Sequence, residues 1–114
     1  MIETQCACMS PPFPHDGFER QFVGVDDGGS RFAEVSVERC RRCGQRWLRY
    51  AFETEGFSRS GRWYRGAVTA VQAKRVSATS ALAVLAGLPW HFYGGSYFAT
   101  TGVRSAAPLD PGRL

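Results

Sequence analysis

The residues best suited to chemistry in this chain are its four cysteines, which fall into two close pairs. Cys6 and Cys8 form a Cys-x-Cys pair near the start, and Cys40 and Cys43 form a Cys-x-x-Cys pair followed by Gly44. Thiolates are ligands that zinc prefers, and a structural zinc site takes four ligands in a tetrahedron. Two short pairs that each chelate from one turn therefore predict a single four-cysteine Zn2+ site.

Other interpretations of these cysteines stay open at the level of sequence. A redox Cys-x-x-Cys belongs at the start of a helix, where the helix dipole lowers the thiol pKa. The residues after Gly44 alternate as in a strand, which disfavours a redox pair. A disulfide and four unconnected thiols are further alternatives, and His15 is an alternative ligand in place of one cysteine. A closed four-thiolate shell leaves no position for a substrate, so we expect the zinc to be structural.

The composition predicts one globular domain without a membrane segment. The chain has 114 residues, 44% of them hydrophobic, and a net charge of +4 from 14 Lys and Arg against 10 Asp and Glu. This positive excess is mild for a nucleic-acid-binding protein. The longest apolar run, residues 81–90, is too short to span a bilayer. The first residues lack the basic and apolar regions of a signal peptide, so we expect a cytoplasmic protein with reduced cysteines.

The periodicity of the chain predicts an α+β domain, an antiparallel β-sheet with one helical segment packed on it and a zinc-ribbon-like four-cysteine knuckle. Alternation and strand-forming residues predict strands, the last of them a strand or short hairpin that turns at Gly94 and Gly95. The predicted strands cover residues 18–25, 31–38, 47–53, 62–68 and 90–102. A turn at residues 26–30 is expected to join the first two strands.

The helical segment is predicted from a capping box, in which Thr69 is followed by Gln72 three residues later. Apolar residues at helical spacing then continue this helix, or open a second helix after Ser77, until Gly87. We expect residues 1–103 to form one zinc-bearing domain and residues 104–114 to form a flexible C-terminal tail.

The sequence contains no arrangement that predicts an active site. His15 and His91 are the only histidines, and His91 lies between two aromatic residues, where a buried structural histidine is the more common role. Glu53 and Glu55 are two residues apart, and we expect them on a solvated rim. A Ser-His-Asp arrangement, a phosphate-binding loop and a dinucleotide fingerprint are all missing from the sequence. We therefore predict that the chain is not an enzyme.

Two basic residues flank two aromatic ones at Arg62, Trp63, Tyr64 and Arg65, which are our candidate partner-binding residues. Trp, Tyr and Arg dominate the energetics of protein–protein interfaces, so we predict a protein partner. The same mixture suits phosphate contact and base stacking, so a zinc-ribbon nucleic-acid-binding protein is the alternative. A helix-turn-helix in residues 71–88 is disfavoured because its second helix has almost no side chain that can read a base edge.

Four motifs together resemble small bacterial proteins that carry a zinc ribbon, some of which resemble immunity proteins of toxin systems. In chain order the motifs are Cys-x-Cys, Cys-x-x-Cys-Gly-x-x-Trp-Leu-x-Tyr, Ser-Gly-Arg-Trp-Tyr-Arg-Gly and Trp-x-Phe-x-Gly-Gly-Ser-Tyr-Phe. The resemblance implies a domain that neutralises a cognate toxin by binding it. Inhibitors of nuclease toxins tend to be acidic whereas this chain is basic, so we expect the toxin to offer an acidic or neutral face.

Overall fold

The chain folds around one six-stranded antiparallel sheet in which every strand pairs with the next along the sequence. The computed structural model describes residues 6–28, 32–53, 56 and 58–109, apart from the side chain of His15. The strands are β1 (Phe18–Asp26), β2 (Ala33–Cys40), β3 (Arg46–Phe52), β4 (Arg62–Val68), β5 (His91–Gly95) and β6 (Thr100–Ser105). The helices are α1 (Ala70–Arg75) and α2 (Ala81–Ala86), and short 3₁₀ turns span Ala7–Met9 and His15–Gly17.

The central strands bury side chains on both faces of the sheet. In β3, Leu48 and Tyr50 point to one face and Trp47 points to the other, and all three are 0% exposed. We call the first the helix face, because α1 and α2 pack on it. We call the second the arm face, because the N-terminal arm, residues 6–17, packs on the half of this face that is nearer Cys40. Both faces of β3 are therefore covered, which agrees with its large apolar residues at consecutive positions.

The helix face holds the larger of two apolar cores. Gly66 of β4 lies under α2, where an added Cβ would overlap Leu88 Cδ1 and would lie 2.9 Å from Leu85 Cδ2. Glycine at this position lets the helical segment approach the sheet closely. The buried residues of this core are Ala33, Val35, Leu48, Tyr50, Phe52, Tyr64, Val68, Ala81, Leu82, Leu85 and Leu109.

Aromatic rings form most of the core on the arm face. Phe13, from the segment before β1, lies 5.1 Å from Phe92, 5.9 Å from Trp63 and 6.1 Å from Trp47 between ring centroids. Trp90 contacts Trp47 and Phe92 from the other side, at 6.2 and 5.6 Å. Edge-to-face and tilted pairs at such distances are favourable arrangements. Phe13 therefore fastens the N-terminal segment to the sheet independently of the cysteines.

The single predicted helical segment is divided into two helices of six residues each. The predicted capping box is present: Gln72 N–H donates to Thr69 Oγ1 at 3.1 Å and Thr69 N–H donates to Gln72 Oε1 at 2.9 Å. Val76 ends α1 in an extended conformation. Reciprocal bonds between Ser77 and Ser80 then form the turn before α2, with N–H to Oγ distances of 2.9 and 3.2 Å. The prediction of a second helix after Ser77 is confirmed, and the alternative prediction of one continuous helix is wrong.

The antiparallel sheet is confirmed, but it accounts for most of the fold, so the domain is α+β only in a loose sense. Neither α1, α2 nor another helix of the described residues is long and apolar enough to cross a membrane.

The last hairpin turns at residues 96–99 and not at Gly94 and Gly95. Both glycines are instead needed where β5 lies very close to neighbouring residues. A Cβ on Gly94 would lie 2.8 Å from Trp63 Cε2, and a Cβ on Gly95 would overlap the Gly61 carbonyl.

The flexible tail predicted from residue 104 does not begin there. Strand β6 continues to Ser105, where it pairs with His91 of β5. Leu109 is 7% exposed and belongs to the core on the helix face, so residues up to 109 are part of the domain. These residues follow no periodic pattern, and the burial of one leucine after a Pro-containing segment has no local signature. Residues 110–114, and residues 29–31 of the predicted first hairpin, lie outside the described residues.

Candidate metal centre

Cys40 and Cys43 lie on a tight turn that joins β2 to β3. Cys40 is the last residue of β2, and its N–H donates to the carbonyl of Gln45 at 2.9 Å. The Gly44 N–H donates to the Cys40 carbonyl, also at 2.9 Å. Gly44 has a φ of 77°, a left-handed conformation that glycine adopts without steric cost. The hairpin therefore fixes the backbone that carries this cysteine pair.

Cys6 and Cys8 lie at the short 3₁₀ turn that precedes the Pro-rich segment. The Met9 N–H donates to the Cys6 carbonyl at 3.0 Å, which closes the turn. Cys8 is 3% exposed and packs in the aromatic core of the arm face. Cys6 is half-buried and packs against the same core.

Arg41, between the second pair of cysteines, connects the knuckle to the residues before β1. Its N–H donates to the Gly17 carbonyl at 3.0 Å, and its Nε donates to the Asp16 carbonyl at 3.2 Å. A salt bridge of 3.9 Å to Glu19 is exposed on both sides and so contributes little stability. The backbone contacts hold the two cysteine pairs on the same side of the sheet.

The structure brings all four predicted metal ligands together. The sulfur atoms of Cys6, Cys8, Cys40 and Cys43 lie within 4.8 Å of one another, with the Cys6–Cys40 pair at 3.6 Å and the Cys8–Cys43 pair at 3.5 Å. A disulfide requires about 2.05 Å between sulfurs, so no two of these four cysteines are disulfide-bonded. The grouping of four thiols is therefore confirmed as a site that is able to hold a metal ion.

The surroundings of the thiols give them different affinities for protons. Burial raises the pKa of Cys40, but backbone hydrogen bonds from Cys43 and Arg42 outweigh it and lower that pKa to about 7. Burial and hydrogen bonds within the cluster raise the pKa of Cys8. Burial also raises the pKa of Cys43, despite a backbone hydrogen bond from Gln45. A thiophilic cation at this place would favour loss of the remaining protons, because metal ligation requires thiolates.

The predicted partner-binding run is mostly inside the protein. Tyr64 and Arg65 are 7% and 3% exposed, so neither offers a surface to a partner, and that part of the prediction is wrong. Arg62 is half-buried, with its guanidinium carbon 3.6 Å from the ring centroid of Tyr97. Trp63 is half-buried against Phe13. The prediction of an exposed binding run failed because β4 is an interior strand of the sheet and both of its faces are covered.

A buried charged cluster beneath the N-terminal segment was not found by sequence reasoning. Glu38 accepts hydrogen bonds from Arg65 Nη1 through Oε1 and from Arg20 Nε through Oε2. Burial by itself raises the pKa of Glu38, but the charges and hydrogen bonds of Arg65 and Arg20 outweigh it and lower the pKa. The Arg65 guanidinium carbon lies 4.6, 4.3 and 4.8 Å from the ring centroids of Phe13, Phe18 and Trp47. The rings and the carboxylate together compensate this buried cation.

The charged cluster forms one side of a pocket of about 310 Å³ on the arm face. The register across the sheet explains the grouping: Arg20 pairs with Glu38, and Arg49 pairs with Arg65. Phe13 and Trp63 provide an apolar wall, together with neighbouring prolines. One charged residue on each of four neighbouring strands was visible in the sequence, but the register that brings the four together was not.

The groups that sequence analysis considered for acid–base chemistry do not form a cluster in the described part of the chain. His91 is 5% exposed, and burial lowers its pKa. Its ring centroid lies 6.2 Å from those of Tyr64 and Tyr93, in the core on the helix face. Glu53 is exposed at the end of β3, whereas Glu55 and the side chain of His15 lie outside the described residues.

The fold and the site define a small antiparallel-sheet domain with a four-cysteine group at metal-binding distance. Comparisons with protein families, with curated proteins and with solved structures found no match to this chain. Its function therefore has to be inferred from its own residues and their arrangement.

Proposed function

We propose that this chain is a zinc-stabilised domain that acts by binding another protein and not by catalysis. The observation that carries the zinc assignment is the spacing of the sulfurs. A tetrahedral site with Zn–S bonds of about 2.3 Å places its sulfurs roughly 3.8 Å apart. The Cys6–Cys40 and Cys8–Cys43 separations of 3.6 and 3.5 Å are close to that value.

The hydrogen bonds around the cysteines also suit a zinc knuckle. Backbone N–H groups of Arg42 and Cys43 bond to the sulfur of Cys40, and the N–H of Gln45 bonds to the sulfur of Cys43. Such outer-shell bonds orient thiolates and offset their negative charge around a metal ion. Four soft ligands favour zinc over hard cations such as Mg²⁺ or Ca²⁺.

The proposed zinc is structural because four protein thiolates complete its coordination. Two ligands come from the N-terminal segment and two from the β2–β3 turn, so the ion cross-links elements 34 and 35 residues apart in sequence. Such a link adds stability to a small domain and holds Phe13 and the prolines that follow Cys8 over the sheet.

Protein binding is supported by large apolar side chains left exposed on the β1–β2 hairpin. Phe22, Val25 and Phe32 are 60%, 47% and 65% exposed. Phe22 and Val25 pair with Ser36 and Glu34, which places them on the half of the arm face that is farther from Cys40. We call this surface, with β1 as its free edge, the hairpin surface. Exposed apolar side chains grouped beside charges are typical of a partner-binding surface.

We propose a partner that presents acidic and apolar side chains to the hairpin surface. The chain has a net charge of +4, and Arg20 and Arg49 lie on the arm face beside Phe22. Complementary charge steers encounter and selects among partners. The resemblance to immunity proteins makes a bacterial toxin with an acidic or neutral face the partner class to test first.

The zinc proposal is tested by elemental analysis of protein purified without added metal. We expect one equivalent of zinc, and a content below about half an equivalent would contradict the proposal. Spectroscopy of the cobalt-substituted protein then reports the ligand set, because thiolate ligation gives intense charge-transfer bands.

The binding proposal is tested by affinity capture from cells of the source with native protein and two matched variants. Phe22→Asp changes the hairpin surface, and Val71→Asp changes a 58% exposed residue on α1, on the opposite face. We expect one protein to be retained by the native chain and by Val71→Asp and to be lost with Phe22→Asp. Equal retention of the partner by Phe22→Asp and the native chain, or retention of no protein at all, would contradict the proposal.

The nucleic-acid alternative gives a different result in the same experiment. The mixture of basic and aromatic residues at Arg62, Trp63, Tyr64 and Arg65 was its main support, and two of these side chains are buried. Captured material that disappears after nuclease treatment, together with binding to mixed nucleic acids that weakens steeply with salt, would favour the alternative over protein binding.

A further inference from the structure

The pocket on the arm face contains more positive than negative charge. Its lining includes Arg20, Arg49 and Arg65 but a single carboxylate, that of Glu38. Arg65 and Glu38 are 3% and 0% exposed in their side chains, and Arg20 is 36% exposed. The pocket thus has a buried ionic floor at Glu38 and a cationic rim at Arg20 and Arg49.

The carboxylate on the floor of the pocket is already satisfied. Glu38 Oε1 accepts from Arg65, and Glu38 Oε2 accepts from Arg20. Both carboxylate oxygens are therefore used, and Arg65 is held between aromatic rings. Glu38 therefore needs no further charged partner, whereas Arg65 Nε and Nη2 are buried without a hydrogen-bond partner among the described residues.

Arg49 is the cation of the pocket that lacks a direct partner. It is half-buried, and within the described residues it makes no hydrogen bond and no ion pair. Burial lowers its pKa and the charge of Arg20 lowers it further, while the charges of Glu38 and Glu34 raise it. A guanidinium that is partly removed from water beside a second guanidinium is stabilised by an added anion.

The shape and walls of the pocket select the kind of anion. A single guanidinium presents a planar fork of donors that matches a carboxylate. Phe13, Pro14 and Trp63 form an apolar wall next to it, which suits an organic group rather than a hydrated inorganic ion. The negative charge of Glu38 at the floor disfavours a dianion such as hydrogen phosphate.

We propose that this pocket binds an organic carboxylate, with the carboxylate paired to Arg49 and its apolar part against Phe13 and Trp63. The carboxylate belongs either to a small organic acid or to an acidic side chain of the partner protein. The second source rests on the proposed function, since the pocket adjoins Phe22 of the hairpin surface: Phe22, Ser36 and Arg49 stand in one row across β1, β2 and β3.

The test uses phenylacetate as the probe on the purified full chain, followed by isotope-edited NMR and calorimetry. We expect saturable binding that shifts the Arg49 Nε–H and Trp63 indole N–H signals. Phenylacetamide, which has the same shape without the charge, and inorganic phosphate are expected to bind at least about tenfold more weakly. Equal binding of phenylacetamide, or shifts confined to another surface, would overturn the proposal.

Two matched variants remove one positive charge each. Arg49→Gln is expected to weaken phenylacetate binding roughly tenfold or more, because a charge-assisted pair is lost. Arg75→Gln removes an exposed cation of α1, on the opposite face, and is expected to leave binding unchanged. Arg49→Lys keeps the charge without the fork and is expected to bind with intermediate strength, which separates recognition from a general loss of structure. Unchanged binding by Arg49→Gln would overturn the proposal.

A competition experiment distinguishes the two sources of carboxylate. If phenylacetate displaces the captured partner from the native chain, the carboxylate belongs to the partner; if it binds without displacing the partner, the ligand is a small acid. Phenylacetate binding needs no partner, so failure of partner capture leaves this measurement intact. Failure of phenylacetate to bind overturns the pocket proposal while leaving the proposed function standing.

Discussion

Glu38 of β2 and Arg65 of β4 form an ion pair across the intervening strand β3, with side chains that are 0% and 3% exposed. The N-terminal segment covers this pair, since Phe13 lies 4.6 Å from the Arg65 guanidinium carbon. The segment that carries Cys6 and Cys8 is therefore seated on a charged group as well as on aromatic rings. Its position depends on both the cysteines and the Glu38–Arg65 pair.

Replacing Glu38 with glutamine is expected to lower the free energy of unfolding by about 3 kcal/mol, because it leaves the buried Arg65 without an opposite charge. The matched control is Glu34→Gln, which removes an exposed carboxylate from the same strand and the same face. Urea unfolding followed by tryptophan fluorescence measures both variants. Similar unfolding midpoints for the two variants would contradict a stabilising role for the buried pair.

Removal of the metal is expected to release the cysteine turn at residues 6–10, while Phe13 stays packed on the sheet and the helix-face core stays folded. The two cores share no buried residue; Cys6, Cys8 and Cys40 belong to the core on the arm face, and Cys43 is exposed. Hydrogen exchange should therefore show faster exchange at Met9 and Ser10 after chelation, with little change at Leu48.

A thermodynamic cycle separates metal loss from simple thiol loss. Cys40→Ser is expected to reproduce the exchange pattern of the chelated native protein, and chelator is expected to have no further effect on that variant. Additive effects of chelator and Cys40→Ser would show that the cysteine and the metal act at separate places.

The parts of the fold that local pattern determines were predicted from the sequence. The alternation of Leu48, Tyr50 and Phe52 with Trp47 and Arg49 gave β3 and the facing of its side chains. The spacing of the two cysteine pairs gave the four-thiol cluster, because each pair lies on one turn and a tetrahedral site needs two such pairs. These features are properties of short segments.

Burial on the arm face could not be predicted from patterns in short segments. A strand over residues 62–68 puts Trp63 and Arg65 on one face and Arg62 and Tyr64 on the other, but the pattern is the same whether a face is covered or open. The cover over Arg65 comes from Phe13, some fifty residues away in sequence. The pairing of Arg20 with Glu38 depends likewise on strand register, which a single sequence constrains only weakly here.

Gly66→Ala is expected to destabilise the domain by about 1–3 kcal/mol, because the added methyl overlaps Leu88 Cδ1 and crowds Leu85 where the helical segment meets β4. Gly87→Ala is the control: its Cβ would meet carbonyl oxygens at an ordinary 3.6 Å, and its φ is −85°. Thermal unfolding of both variants tests the close approach. An equal loss of stability in Gly87→Ala would indicate a general effect of losing glycine.

His91 is expected to make the domain less stable as the pH falls from about 7 to about 5. Burial lowers the pKa of His91 in the folded state, so below the unfolded-state pKa of about 6.5 the unfolded chain binds a proton that the folded chain does not. The stability that the neutral ring contributes is thus fully present above that pKa and is lost as the pH falls toward the lower folded-state pKa.

Unfolding midpoints measured across this pH range test the role of His91 by difference between variants. His91→Gln should flatten the pH profile relative to the native protein, whereas His15→Gln, which removes the other histidine, should keep the native slope. Protons also compete with metal for the thiolates in this range, but that contribution is common to all three proteins and cancels in the comparison. Parallel profiles for the native chain and His91→Gln would show that His91 does not cause the pH dependence.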